Sequence, residues 1–134
     1  MTVLDSSAVI DYLLGIGAVD EVDALLARER SADAQDVLVF EVLAAMRRKV
    51  QGGHLDRERA TAAVEDLGDL SVELFPSLPL RRRAWELRDN LTIADGMFVA
   101  LAELLGEPLV TKDRGLASAA RQHARIDVVE LATR

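Results

Sequence analysis

Short apolar runs alternate with helical segments along the whole chain, and this alternation restricts the fold more than any other feature. "TVL" (Thr2 to Leu4) is β-branched and apolar and reads as a buried strand. "SSAVIDYLLG" follows as a short helix stopped by Gly15. "AVDEVDALLARE" places Val19, Val22, Leu25 and Leu26 on one helical stripe with charges opposite. "RSADAQ" is polar and fits a loop or a very short strand equally well. Asp36 is predicted to cap a long helix through about Val50, ended by "QGG". A helix over "DRERATAAVEDLGDL", a strand over "SVELF" and a basic helical segment over "LPLRRRAWELRDN" come next. Thr92 opens the helix "IADGMFVALAELLG", and "EPLVT", "DRGLASAARQ" and "IDVVEL" complete the series as strand, helix and strand.

This order predicts an α/β chain, a three-layer sandwich around a mainly parallel sheet. In such sheets ligands sit beyond the carboxyl ends of the strands, near the switch in strand order. At 134 residues, one domain over 1–134 is expected, large enough for a real core. Half the residues are hydrophobic and 29% are charged, which fits a globular chain and not a disordered one. The absence of cysteine rules out disulfides and thiolate metal sites. "MTVLDSSAVI" lacks a basic leader, and no apolar run reaches the roughly 18 residues of a membrane span. A cytoplasmic protein is expected. The net charge of −7 opposes binding nucleic acid by bulk charge, but a cluster of catalytic carboxylates would contribute to the same total.

Four acids stand where chemistry is expected. Asp5 directly follows the first strand, Asp95 lies in the first turn of a mostly apolar helix, and Asp113 follows the strand "PLVT". Each has a structural explanation as a helix cap, and Thr92 with Asp95 fits a capping box. Glu41 has no such explanation. It interrupts the apolar run Val37 to Met46 in mid-helix, where a buried, unpaired carboxylate costs several kcal/mol or becomes neutral. A buried salt bridge, to Arg47 or Arg48 for instance, is one answer; a bound cation is the other. Ligation by Asp and Glu alone suits Mg²⁺ or Mn²⁺ and not zinc. Such ions suit hydrolysis of a phosphodiester.

The three segments "VLDSSAVIDYL", "FEVLAAMRRK" and "LTIADGMFVALAELLGEPLVTKDRGLA" resemble, in order and spacing, the PIN domain, and within it the VapC toxins of bacterial toxin–antitoxin pairs. The resemblance implies a small α/β/α endoribonuclease dependent on Mg²⁺ or Mn²⁺, an RNA substrate, a homodimer and a VapB-like antitoxin. It makes Asp5, Glu41, Asp95 and Asp113 the acidic catalytic and metal site. Ser7 takes the family's Asp-x-Ser hydroxyl position, and Thr111 that of Thr-x-Asp. Two departures stand out: Gly96, Met97 and Phe98 replace the usual alanine and tyrosine after the third acid, and a common proline before the Glu41 helix is absent.

Other classes fit less well. A receiver domain needs an acidic pair after its first strand, and a haloacid-dehalogenase-type phosphatase needs Asp where Ser7 stands. A non-catalytic PIN-like module that binds RNA or dimerises is the remaining alternative. The runs Arg81–Arg83 and Arg47–Lys49 are expected to be mainly solvated helix faces, and Trp85 is expected in the core. The apolar excess in "AVDEVDALLA" and "VLVFEVLAAM" suggests a dimer interface.

Overall fold

Five strands and seven α-helices carry the chain in the computed structural model, which describes residues 1–132. In chain order they are β1 (Val3–Leu4), α1 (Ser6–Leu14), α2 (Val19–Glu29), β2 (Ala32–Gln35), α3 (Val37–Gln51), α4 (Arg57–Leu67) and β3 (Val72–Phe75). A 3₁₀ turn at Leu78–Leu80 leads into α5 (Arg81–Glu86), then α6 (Ile93–Leu105), β4 (Leu109–Thr111), α7 (Arg114–His123) and β5 (Val128–Glu130). The strand order is β3-β2-β1-β4-β5 with every pairing parallel, so the sheet is parallel throughout and not only mainly so. Helices cover both faces in a three-layer α/β/α sandwich.

The two-residue strand β1 is the centre of this sheet. Val3 is in register with Asp33 of β2 on one side and with Leu109 of β4 on the other. The chain reverses its direction of winding there, so the carboxyl ends of β1 and β4 flank the switch point. Val3, Leu4, Leu109 and Val110 are buried, and α6 packs on β1, β2 and β4 through a core that includes Phe98, Val99 and Leu101. Truncating a fully buried phenylalanine such as Phe98 to alanine would cost about 3–5 kcal/mol. Glycines close the helices that frame the switch point: Gly15 (φ 66°) ends α1 and Gly106 (φ 65°) ends α6, each in the left-handed conformation that returns its N–H to the last turn.

One open sequence expectation is settled and others change. "RSADAQ" contains a full strand, β2, buried at all four positions although two of its residues are Asp33 and Gln35. Asp36 precedes α3 but makes no capping bond to it. Gln35 does that work instead: its side-chain oxygen accepts from Val37 N at 2.7 Å, while its amide nitrogen donates to Asp36 and Ser77. Trp85 is 61% exposed, with Arg88 stacked 4.6 Å from its ring centre, so it is not a core residue. Successive residues of a helix point about 100° apart, and on α5 it is Ala84 that takes the inward position, against Gly96.

Candidate active site

The end of β1 delivers Asp5 into a position nine-tenths and more buried, with 3% of its surface exposed. Its carboxylate is held from three directions. Ala8 N donates to Oδ1 at 3.0 Å, because Asp5 is also the N-cap of α1. Ser7 Oγ donates at 2.8 and 3.0 Å, and Thr111 Oγ1, at the end of β4, donates to Oδ2 at 2.5 Å. Burial outweighs these bonds, with Asp95 adding a smaller push, and the Asp5 pKa is raised to about 6.

Asp95 sits in the first turn of α6, where its backbone N–H is capped by Thr92 Oγ1 at 3.1 Å. Its own carboxyl is also raised to about 6, first by burial and then by the charges of Asp113 and Glu41. Those influences place all four acids in one electrostatic neighbourhood. Asp113 is an exposed residue whose carboxylate caps α7, accepting from Leu116 N at 3.0 Å. Its structural explanation therefore holds alongside any chemical role.

Glu41 is not buried as the apolar run suggested. It is half-exposed, because α3 buries only Leu38, Val42, Ala45 and Met46. Phe40 is 72% exposed, and Val39 and Leu43 are exposed beside it. Among the described residues no ion pair involves Glu41, so neither Arg47 nor Arg48 neutralises it. Its partner is the hydroxyl of Ser6, which donates to Oε1. Ser6 is a residue that sequence reasoning passed over; only the packing of α3 on α1 turns it towards Glu41.

"DSS" thus provides a carboxylate and two hydroxyls with different duties: Ser7 fixes Asp5, and Ser6 fixes Glu41. Among the described residues no three histidine or acidic side chains stand close enough to enclose an ion as they are. The donor set nevertheless fits a hard cation: it is all oxygen, and the charge of Asp95 raises the pKa of Asp5 as those of Asp113 and Glu41 raise that of Asp95, a repulsion that a divalent ion relieves.

Comparison with known proteins agrees with this architecture. Residues 2–122 match the PIN domain. The chain belongs to the PIN-domain family. Within that family its relatives are VapC proteins, which places it in the VapC branch. It is 40% identical over 118 residues to Ribonuclease VapC1 of Mycobacterium tuberculosis, covering 87% of this chain and 89% of that protein. It is 36% identical over 129 residues to Ribonuclease VapC12 of the same organism, covering 96% and 99%. The PIN fold itself is shared with a chain of VapBC2 from Rickettsia felis, solved bound to a DNA fragment from its promoter, at a TM-score of 0.67 with 12% identity, covering 98% of this chain and 100% of that one.

Proposed function

We propose that this PIN-domain protein is the toxin of a toxin–antitoxin pair, an endoribonuclease that hydrolyses RNA with Mg²⁺ or Mn²⁺ at Asp5, Glu41, Asp95 and Asp113. The observation that carries the proposal is the convergence of two hydroxyls and a helix N–H on one buried carboxylate at the switch point, with Asp95 in its field. The VapC relatives are named as ribonucleases, which supports the same reading.

Each residue has a part in it. Thr111 and Ser7 fix the orientation of Asp5, so that its oxygens need no reorganisation when charge arrives. Ser6 holds Glu41 by its side. Asp95, Glu41 and Asp113 complete the ligand set, and a bound ion would supply a water of lowered pKa and neutralise charge on the phosphate. With carboxyls raised to about 6, the site binds protons at acid pH in competition with a cation. Activity should therefore rise through about pH 6.

The antitoxin and a second copy of the chain both need surface. The apolar face of α3, with Phe40, Val39 and Leu43, is left uncovered and continues to exposed Leu74, whereas α2 buries Val22 and Leu25. Arg47 and Arg48 border Phe40, so a partner segment with apolar and acidic side chains fits there. No helix among the described residues is long and apolar enough to cross a membrane.

The test is direct. Purified protein should cleave RNA with Mg²⁺ or Mn²⁺, stop in EDTA, and lose cleavage on Asp5→Asn with the fold intact by circular dichroism. Cleavage that persists in EDTA would overturn the metal-dependent reading. Sedimentation at micromolar concentration should show a dimer.

A further inference from the structure

A second polar constellation lies behind the acidic site and takes no direct part in it. Asp11, near the end of α1, is 3% exposed. Its Oδ1 and Oδ2 lie 2.9 and 2.8 Å from Lys112 Nζ, and Oδ2 also accepts from Ala18 N at 3.0 Å. Lys112 stands between Thr111 and Asp113 in the β4–α7 loop. Its backbone N–H donates to Ser7 Oγ at 3.0 Å.

Ser7 and Asp11 are four residues apart on α1 and so share one face of the helix. That face grips Lys112 at both ends, the backbone through Ser7 and the side chain through Asp11. The residues on either side of Lys112 are the ones the site needs: Thr111 donates to Asp5, and Asp113 N is tied back to Thr111 Oγ1 at 3.0 Å. Gly17 is part of the same construction. It has φ 52°, and a Cβ there would lie 2.1 Å from Asp11 Oδ2 and 3.3 Å from Lys112 Nζ. Only glycine leaves room for the pair.

We propose that Asp11 is a positioning residue: paired with Lys112, it clamps the Thr111–Asp113 loop to α1 and so sets the hydroxyl and carboxylate of that loop against Asp5. The proposal rests on the ribonuclease reading for its effect on rate, but not for its effect on the loop. Lys112 is thereby assigned to the fold of the site and not to the substrate, because its ammonium is already occupied by a buried carboxylate.

Asp11→Asn or Lys112→Met alone leaves one buried charge without its partner and endangers the fold. The double variant Asp11→Asn/Lys112→Met removes both charges while Asn still accepts from Ala18 N. It should melt near the wild type. With RNA and saturating Mn²⁺ its kcat should fall about 10- to 100-fold, the scale of a small misplacement at the chemical centre, with KM for RNA nearly unchanged. Hydrogen exchange at the Lys112 and Asp113 amides should accelerate about tenfold, while that at the core amide of Val22 stays slow. A double variant with wild-type kcat, or with unchanged exchange at both amides, would overturn the clamp. If the wild type itself fails to cleave RNA, the ribonuclease reading falls, and the exchange rates alone decide: acceleration supports the clamp and no change overturns it.

Discussion

The parallel sheet has acids at both of its edges, and the two edges treat them differently. At the carboxyl edge Asp5 is surrounded by donors from Ser7, Thr111 and Ala8. At the amino edge Asp33, on β2, is equally buried, yet among the described residues no donor reaches its Oδ1 or the Oε2 of Glu107 just before β4. Glu107 is pushed up to about 7, by burial first and then by the neighbouring carboxyl of Asp33; Glu29 adds to the push, and the N-terminal amine opposes it. Glu29 itself accepts twice from Thr2 Oγ1, at 3.0 and 2.8 Å. A raised carboxyl pKa is thus common to both edges and cannot by itself mark a site. The convergence of donors on an ionised form distinguishes the carboxyl edge. The amino edge favours the neutral form of Glu107.

The largest effect should separate the edges by activity. Asp5→Asn and Asp95→Asn should each reduce RNA cleavage roughly 100- to 10,000-fold, the range for losing a group that acts on the reacting atoms. Glu107→Gln should leave it near wild type. Equal losses at both edges in a steady-state cleavage assay would erase the distinction.

Ion binding comes next. Mg²⁺ bound only by the folded carboxyl edge should stabilise the wild type by about 2.7 kcal/mol at a hundredfold excess over its dissociation constant, and Asp95→Asn by less. Thermal melts with EDTA and with Mg²⁺ measure this difference, and Glu107→Gln should gain as much as the wild type.

The third effect is the pH dependence of the metal-free protein. A carboxyl whose folded pKa is raised contributes stability that is fully present below its unfolded value and is lost as pH rises through the folded one. For Glu107 that window runs from 4.5 to about 7, and for Asp5 and Asp95 from 3.8 to about 6. Wild type should lose stability across both windows. Glu107→Gln should remove the higher part and stabilise the protein at pH 8 by about 1–2 kcal/mol after solvent screening. Urea midpoints at pH 5 and pH 8 test this.

The smallest effect belongs to Glu41. A half-exposed carboxylate held by Ser6 has no buried cation to strand, so Glu41→Gln should change metal-free stability by only about 0.5 kcal/mol. A loss of roughly 3–5 kcal/mol in EDTA would mean a buried ion pair after all.

Much of this layout is legible in the sequence, and the failures share a cause. β1, α1 and α6 announce themselves by apolar pattern and by end residues that act as read: Thr92 on Asp95 N and Gly15 at the end of α1. β2 does not, because Asp33 and Gln35 are polar residues made inward-facing by strands paired on both sides. The cap at Asp36 fails for a related reason: buried Gln35 reaches Val37 N first, and Asp36 turns to Ser77. Trp85 and Phe40 fail in the other direction, since composition cannot say which apolar residues a short helix or a one-sided helix leaves outside. Resemblance and order along the chain point to the four acids and to the hydroxyls of Ser7 and Thr111. The pairing of Ser6 with Glu41 and the clamp at Lys112 depend on packing between distant segments, which no local pattern announces.

The bond from Thr111 to Asp5 spans 106 positions, and it joins the first strand of the chain to the fourth. Strand β1 has a neighbour on only one side until β4 arrives beside it. At about 5–20 residues per second, a ribosome takes roughly 5–20 s to travel from one partner to the other. Throughout that interval the emerging polypeptide carries Asp5 without the hydroxyl that orients it. A site built this way is incomplete until synthesis of the chain is nearly over, and the delay is written into the topology of the sheet.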